Sequence, residues 1–249
     1  MHRFMLAVLI VGSLAACASQ PSPKTQASTG DITLHVNASG EPVMSPEEQE
    51  VQKGLEMIQA GQIMAAVDGP LTDVVKKFEA EYASSDAQIY SARGMTDALL
   101  YAGLGTTNGG HRKVDVLGPA WAMAYWARGY AYGEMARYDD ERIELDKALA
   151  LAPLDAQYNN ELAFTYSQMH EWEKALALYQ RAEENAELTT TDVPHSQCAS
   201  LRGQGYVLVE LHRLDEAEAK YKACLKITPD EPKSLAEIDY IQTLRKKPR

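Results

Sequence analysis

Small and apolar residues recur at helical spacing along the C-terminal half of the chain, and they recur in register. Aligning 129–153 with 163–187 and 205–229 superposes Gly129, Ala163 and Gly205. It also superposes Tyr132, Tyr166 and Leu208, then Tyr138, Trp172 and Leu214. Further on, Glu141 meets Ala175 and Ala217, Leu145 meets Tyr179 and Tyr221, and Ala148 meets Ala182 and Cys224. The first two units start 34 residues apart and the next two 42 apart, the excess falling around Glu187–Pro194. Each unit reads as two amphipathic helices joined by a short polar turn. Pro153 and Thr228-Pro229-Asp230 punctuate the pair ends. A period of this length predicts a stacked helical array rather than a compact enzyme fold. After it, Leu235, Ile238, Ile241 and Leu244 share one face of a last helix, which is expected to cap the array.

Upstream the pattern is less regular. Pro46–Ala66 is helical by periodicity, with Val51, Leu55 and Ile58 on one face. Gly54, Gly61, Ile63 and Ala66 look like the first part of a worn unit. Asp68-Gly69-Pro70 interrupts it, and Leu71–Tyr82 resumes as a helix. Ile89–Tyr101 reads as a further helix. Gly103–Gly118 reads as a Gly-rich break, and Pro119 is well placed to open the first helix of the clear array. Residues 18–30, rich in Ser, Gln, Pro and Thr, read as a flexible tether. Asp31–Val36 alternates like a strand but has no evident partner, so it reads as extended linker.

The repeated pattern resembles the tetratricopeptide repeat (TPR) family. Its carriers are Gly129-x-x-Tyr132, then Leu162-Ala163-x-x-Tyr166 with Trp172, Ala175, Tyr179 and Ala182, and then Leu214-Asp215-Glu216-Ala217 with Tyr221 and Pro229. They span Ala122–Pro229. The first unit departs at Glu141, where the others hold alanine. The resemblance implies an all-α fold, a right-handed solenoid of helical hairpins. The expected organisation is a signal peptide (1–16), a lipidated Cys17 with tether (17–45), a degenerate helical region (46–118), three TPR units (119–229) and a capping helix with tail (230–249).

Residues 1–16 have the layout of a secretory signal, with His2 and Arg3 before apolar Phe4–Val11. The stretch is short for a membrane span. Leu14-Ala15-Ala16-Cys17 resembles the bacterial lipobox, which implies cleavage before Cys17 and its acylation. An ordinary signal peptide with an incidental cysteine is the alternative. A multiply acylated terminus anchors stably. Ala18 in place of Asp implies an outer-membrane destination. Two other cysteines then lie in an oxidising compartment. Facing residues of an antiparallel helix pair have a constant index sum, so if Gly205 faces Ala217, Cys198 faces Cys224. A disulfide is expected there, with two separate buried thiols as the alternative.

The chain carries 24 Lys and Arg against 35 Asp and Glu, a net charge of −11, and loss of Arg3 with the signal takes it to about −12. That acidity speaks against nucleic acid and against anionic headgroups as partners. Chemical motifs fail on inspection. The Gly103–Lys113 loop has Asn108 where a dinucleotide fingerprint needs Gly, and Val114 follows Lys113 where a phosphate loop needs Ser or Thr. His170-Glu171 lacks the second zincin His, because Lys174 stands there. No cofactor or metal site is expected, and the chain reads as a non-enzyme.

In a TPR array the first helix of each unit lines the concave face. That places Tyr130, Phe164 and Tyr206 in the groove, with Trp126, Asn160 and Arg202 one turn earlier. Such a surface suits a protein or peptide partner. The alternative is that these aromatics pack against neighbouring helices. TPR domains that clamp carboxylates use Asn with Lys or Arg, whereas Glu161 occupies an Asn position here. The leading expectation is therefore a lipid-anchored periplasmic scaffold. Alternatives are a piloting factor for a pilus or secretion machine and an enzyme with its site in 103–118.

Overall fold

The computed structural model describes residues 31–33, 43–107, 113–189 and 192–246. The signal segment, Cys17, the 18–30 tether, His111 and Arg112 lie outside the described residues.

Eleven helices are described, and they account for the repeated pattern. The clear units are α5 (Ala120–Glu134) with α6 (Tyr138–Leu151), α7 (Ala156–Gln168) with α8 (Trp172–Thr189), and α9 (Val193–Glu210) with α10 (Leu214–Ile227). α11 (Pro232–Lys246) closes the stack. Ile241 is fully buried, and Ile238 and Leu244 pack beside it. Leu235, expected on the same face, stays exposed because Ser234 takes the buried position in the first turn. Upstream, α1 (Pro46–Gln59) pairs with a bent helix made of α2 (Ile63–Ala66), a wide turn at Val67–Leu71 and α3 (Thr72–Glu81). Gly69 leaves helical geometry at the bend, beside Pro70, which cannot donate a ladder hydrogen bond. Ser45 begins α1 with a reciprocal capping box to Glu48.

One turn geometry recurs through all four hairpins. Seven residues after Gly54, Gly129, Ala163 and Gly205 come Gly61, Ala136, His170 and His212, all with positive φ between 55° and 78°. The next residue's amide then reaches back over the helix end. Gln62 donates to Met57, Arg137 to Tyr132, Glu171 to Tyr166 and Arg213 to Leu208, at 2.8–2.9 Å. This is a left-handed C-terminal cap that satisfies terminal carbonyls. Ala66, at the register position of Ala175 and Ala217, is fully buried as they are. The N-terminal hairpin therefore shares the turn geometry of the clear units.

Between the first and second hairpins the chain departs from the helical reading. Gln88–Ser91 is a strand, β1, and only Met95–Thr107 is helical, as α4. Val114–Leu117, read from sequence as part of a break, forms β2 and pairs in parallel with β1. Asp31–Thr33 is not free linker. Thr33 donates to the Val116 carbonyl at 2.9 Å and Val116 to that of Asp31 at 2.8 Å, so Ile32 bridges the other side of β2. β2 is buried throughout, as a central parallel strand is. Pairing partners far apart in sequence decided these elements, which periodicity alone does not see.

The two halves join through aromatic packing. Trp121 of α5 stacks on Phe78 at 5.5 Å and on Tyr82 at 5.8 Å, and Tyr125 donates to Glu79 at 2.6 Å. Among the described residues, no helix is long and apolar enough to cross a membrane.

Candidate functional site

The site is built on the first helices of the units. α7 packs beside both α5 and α9, whereas α6, α8 and α10 make no comparable contact with one another. The inner row is thus α5, α7 and α9. The close hairpin packing that aligns them needs small residues. A Cβ on Gly129 would stand 3.3 Å from the Glu141 carbonyl.

The expected groove residues fall into two groups. Phe164 and Tyr206 are open to solvent, at 45% and 40% exposure. Tyr206 meets Trp172 edge-on at 6.2 Å. Trp126 and Tyr130 are largely packed, stacking on each other at 6.0 Å, and Trp126 also stacks on Tyr158 at 6.2 Å. Asn160 accepts a hydrogen bond from the Ser200 hydroxyl at 3.0 Å, which ties α7 to α9. Arg202 reaches Glu231, just before α11, at 3.8 Å. The aromatic ladder is therefore open at its C-terminal rungs and packed at its N-terminal one. Cys198, near the start of α9, is disulfide-bonded to Cys224, near the end of α10, with Cα atoms 4.7 Å apart.

A cleft of about 670 Å³ opens at the end of the inner row where α7 begins. One wall is the turn into α4. There Asp97 accepts from the Arg93 amide at 2.6 Å and the Gly94 amide at 2.9 Å. The Arg93 guanidinium donates to Asp155, the N-cap of α7, at 2.6 Å, and lies over Tyr158 at 4.9 Å. The opposite wall comes from described residues around the eight-residue excess of the second spacing. These residues extend the flanking helices. α8 and α9 each run 18 residues against 14 for α6 and 13 for α7. The extension carries Glu187, Leu188 and Thr189 into the cleft, followed by Asp192 and His195. Thr189 also accepts the Ala156 amide at 3.0 Å, which closes the start of α7. Asn160 and Glu161 form the floor.

Glu161 joins this cleft to a carboxylate group inside the row. Burial, reinforced by Glu134, lifts the Glu161 carboxyl to about 7. Burial also lifts Glu141 to about 7; the Thr165 hydroxyl opposes the rise, and Glu161 and Glu134 add to it. Glu141 is 2% exposed, and its Oε2 has no hydrogen-bond partner among the described residues. It fits because Gly133 leaves room: a Cβ there would lie 2.7 Å from Oε1. Burial and Glu134 also raise the Tyr130 hydroxyl. Among the described residues, no ion pair is formed by Glu134, Glu141 or Glu161. The sequence reading missed Arg93, Asp97, Glu141 and Glu187. For Glu141 the available signal was a carboxylate where two sister units hold alanine, four residues beyond a second small position at Gly133.

Comparison with known proteins agrees with the hairpin geometry. A tetratricopeptide repeat family model matches residues 154–230. No protein of curated function matches the chain. The Pseudomonas aeruginosa pilF structure superposes with a TM-score of 0.56 at 14% identity, over 80% of this chain and 68% of that one. A tetratricopeptide repeat protein from Parabacteroides merdae gives 0.54 at 15% identity, over 80% of this chain and 60% of that one. The first TPR of Spaghetti, bound to an HSP90 peptide, gives 0.45 at 17% identity, over 51% of this chain and 94% of that one. At such identities the likeness is one of fold. With the register, the recurring left-handed turns and the family match, residues 154–230 are tetratricopeptide repeats, and the described hairpins have the fold of a tetratricopeptide-type helical solenoid.

Proposed function

We propose that the protein is a lipid-anchored periplasmic scaffold that holds a protein or peptide segment against α5, α7 and α9. The observation that carries this reading is the pair of solvent-exposed aromatics, Phe164 and Tyr206, on equivalent positions of adjacent first helices. Large rigid aromatics held out of the core supply anchoring area at low entropic cost. The envelope part of the reading rests on the Leu14-Ala15-Ala16-Cys17 sequence. Pairing of Cys198 with Cys224 supports it, since disulfides persist in oxidising compartments.

Crosslinking in intact cells, followed by capture, tests the scaffold. Wild type is expected to recover a partner that Phe164→Ala/Tyr206→Ala loses. Equal recovery by both refutes binding on the inner row. Labelling with a fatty-acid analogue tests the anchor: label should enter the wild type and be absent from Cys17→Ser. Label retained in that variant refutes acylation at Cys17.

A further inference from the structure

We propose that the segment held on the inner row is cationic and extended, and that a lysine or arginine of it enters the cleft beside Glu161. The inference rests on the groove reading above and specifies the chemistry of its occupant.

Charge complementarity carries it. The cleft lining presents the carboxylates of Asp97, Glu161, Glu187 and Asp192 against two basic side chains, Arg93 and His195, with Asp192 engaged as the cap of α9. The Arg93 guanidinium is already engaged by Asp155 and by the Gln157 side chain at 3.1 Å. Asp97 is also occupied, by the two amides at the start of α4. Glu161 and Glu187 remain as carboxylates for which no ion pair is formed among the described residues. An independent observation lies behind Glu161. Glu141, 2% exposed, reaches between α5 and α7 with one carboxylate oxygen unpartnered. Glu141 and Glu161, both withdrawn from solvent, repel one another, and a cation brought beside Glu161 relieves both burial and repulsion. Burial is the main cause that holds both carboxyls above the ordinary carboxylate range.

The walls fit the stem of such a side chain. Leu188 is exposed at the cleft. Phe164 stands one turn beyond Glu161 on the same helix, so an aliphatic stem runs over apolar surface before its charged end meets the carboxylates. From there the occupant's backbone continues along α7 and α9 past Tyr206. The polarity is the reverse of a carboxylate clamp, because a carboxylate, Glu161, occupies the place of the clamp asparagine.

The test uses the folded chain from residue 18 and three short fluorescein-labelled peptides, alternating alanine with lysine, glutamate or glutamine, read by fluorescence anisotropy. The lysine peptide is expected to bind at least about tenfold more tightly than the glutamate peptide at low salt. Glu161→Gln and Glu187→Gln should each weaken it about fivefold. Glu173→Gln, an exposed change at the far end of α8 with the same loss of net charge, should change it less than twofold. Equal weakening by Glu161→Gln and Glu173→Gln assigns the binding to overall acidity and overturns the proposal. If the glutamine peptide binds as tightly as the lysine peptide and loses binding on Phe164→Ala, the groove reading stands and the cationic assignment falls. If Phe164→Ala alters the binding of no peptide, both fall. Displacement of the lysine peptide by a peptide of residues 244–249, with dimers in sedimentation, identifies a second copy as the occupant and overturns a separate partner.

Discussion

Glu141 offers the sharpest test of how this array is held together. Its carboxyl titrates near 7 in the folded chain against an ordinary 4.5, with burial as the main cause. Such a difference makes the ionised form costlier in the folded state by about 3 kcal/mol. The direction in pH follows. Below about pH 4.5 the group is protonated in both states and no penalty exists. As pH rises towards 7 the unfolded chain releases its proton first, so stability falls, and the full penalty stands above 7. Glu141→Gln removes the titration while keeping the shape. Its amide introduces donors into the same buried space, which costs about 1 kcal/mol if they find no acceptor. The net expectation is a gain of about 2 kcal/mol near pH 8 that disappears or reverses near pH 5. Urea unfolding followed by helical circular dichroism at both pH values measures it. A difference between variant and wild type that is the same at both pH values refutes the reasoning, whatever its sign.

Other expectations follow from single contacts. Arg93→Ala leaves the buried Asp155 carboxylate without its cation and should cost about 1–3 kcal/mol, with faster hydrogen exchange in α4; unchanged exchange there would show that the latch is unimportant. Ala136→Gly relieves a φ of 55° at an exposed turn and should stabilise by about 0.5–1 kcal/mol, read as a higher Tm; a lower Tm contradicts the turn assignment. Reduction of the disulfide, which spans 26 residues, should cost about 3 kcal/mol, and a Cys198→Ser/Cys224→Ser variant should be insensitive to reductant.

The sequence on its own determined the repeat. Small residues at fixed spacing allow helices to approach and large ones fill the space between, so the register of Gly129, Ala163 and Gly205 specified hairpins, their stacking and the facing positions of Cys198 and Cys224. These are consequences of local periodicity, which a linear pattern records. Only the tertiary structure decided the rest. β1 and β2 exist because residues 88–91 and 114–117 pair across α4, and Asp31–Thr33 joins them from far upstream. The described residues around the insertion lengthen α8 and α9, which puts Glu187 in one cleft with Arg93. Tyr130 packed against Trp126 while Phe164 and Tyr206 stayed open, although Tyr130, Phe164 and Tyr206 sit at equivalent helical positions. Which neighbour covers a side chain depends on elements distant in sequence, and burial, not spacing, sets whether an aromatic anchors a partner or a core, and whether a carboxylate is an ordinary surface charge.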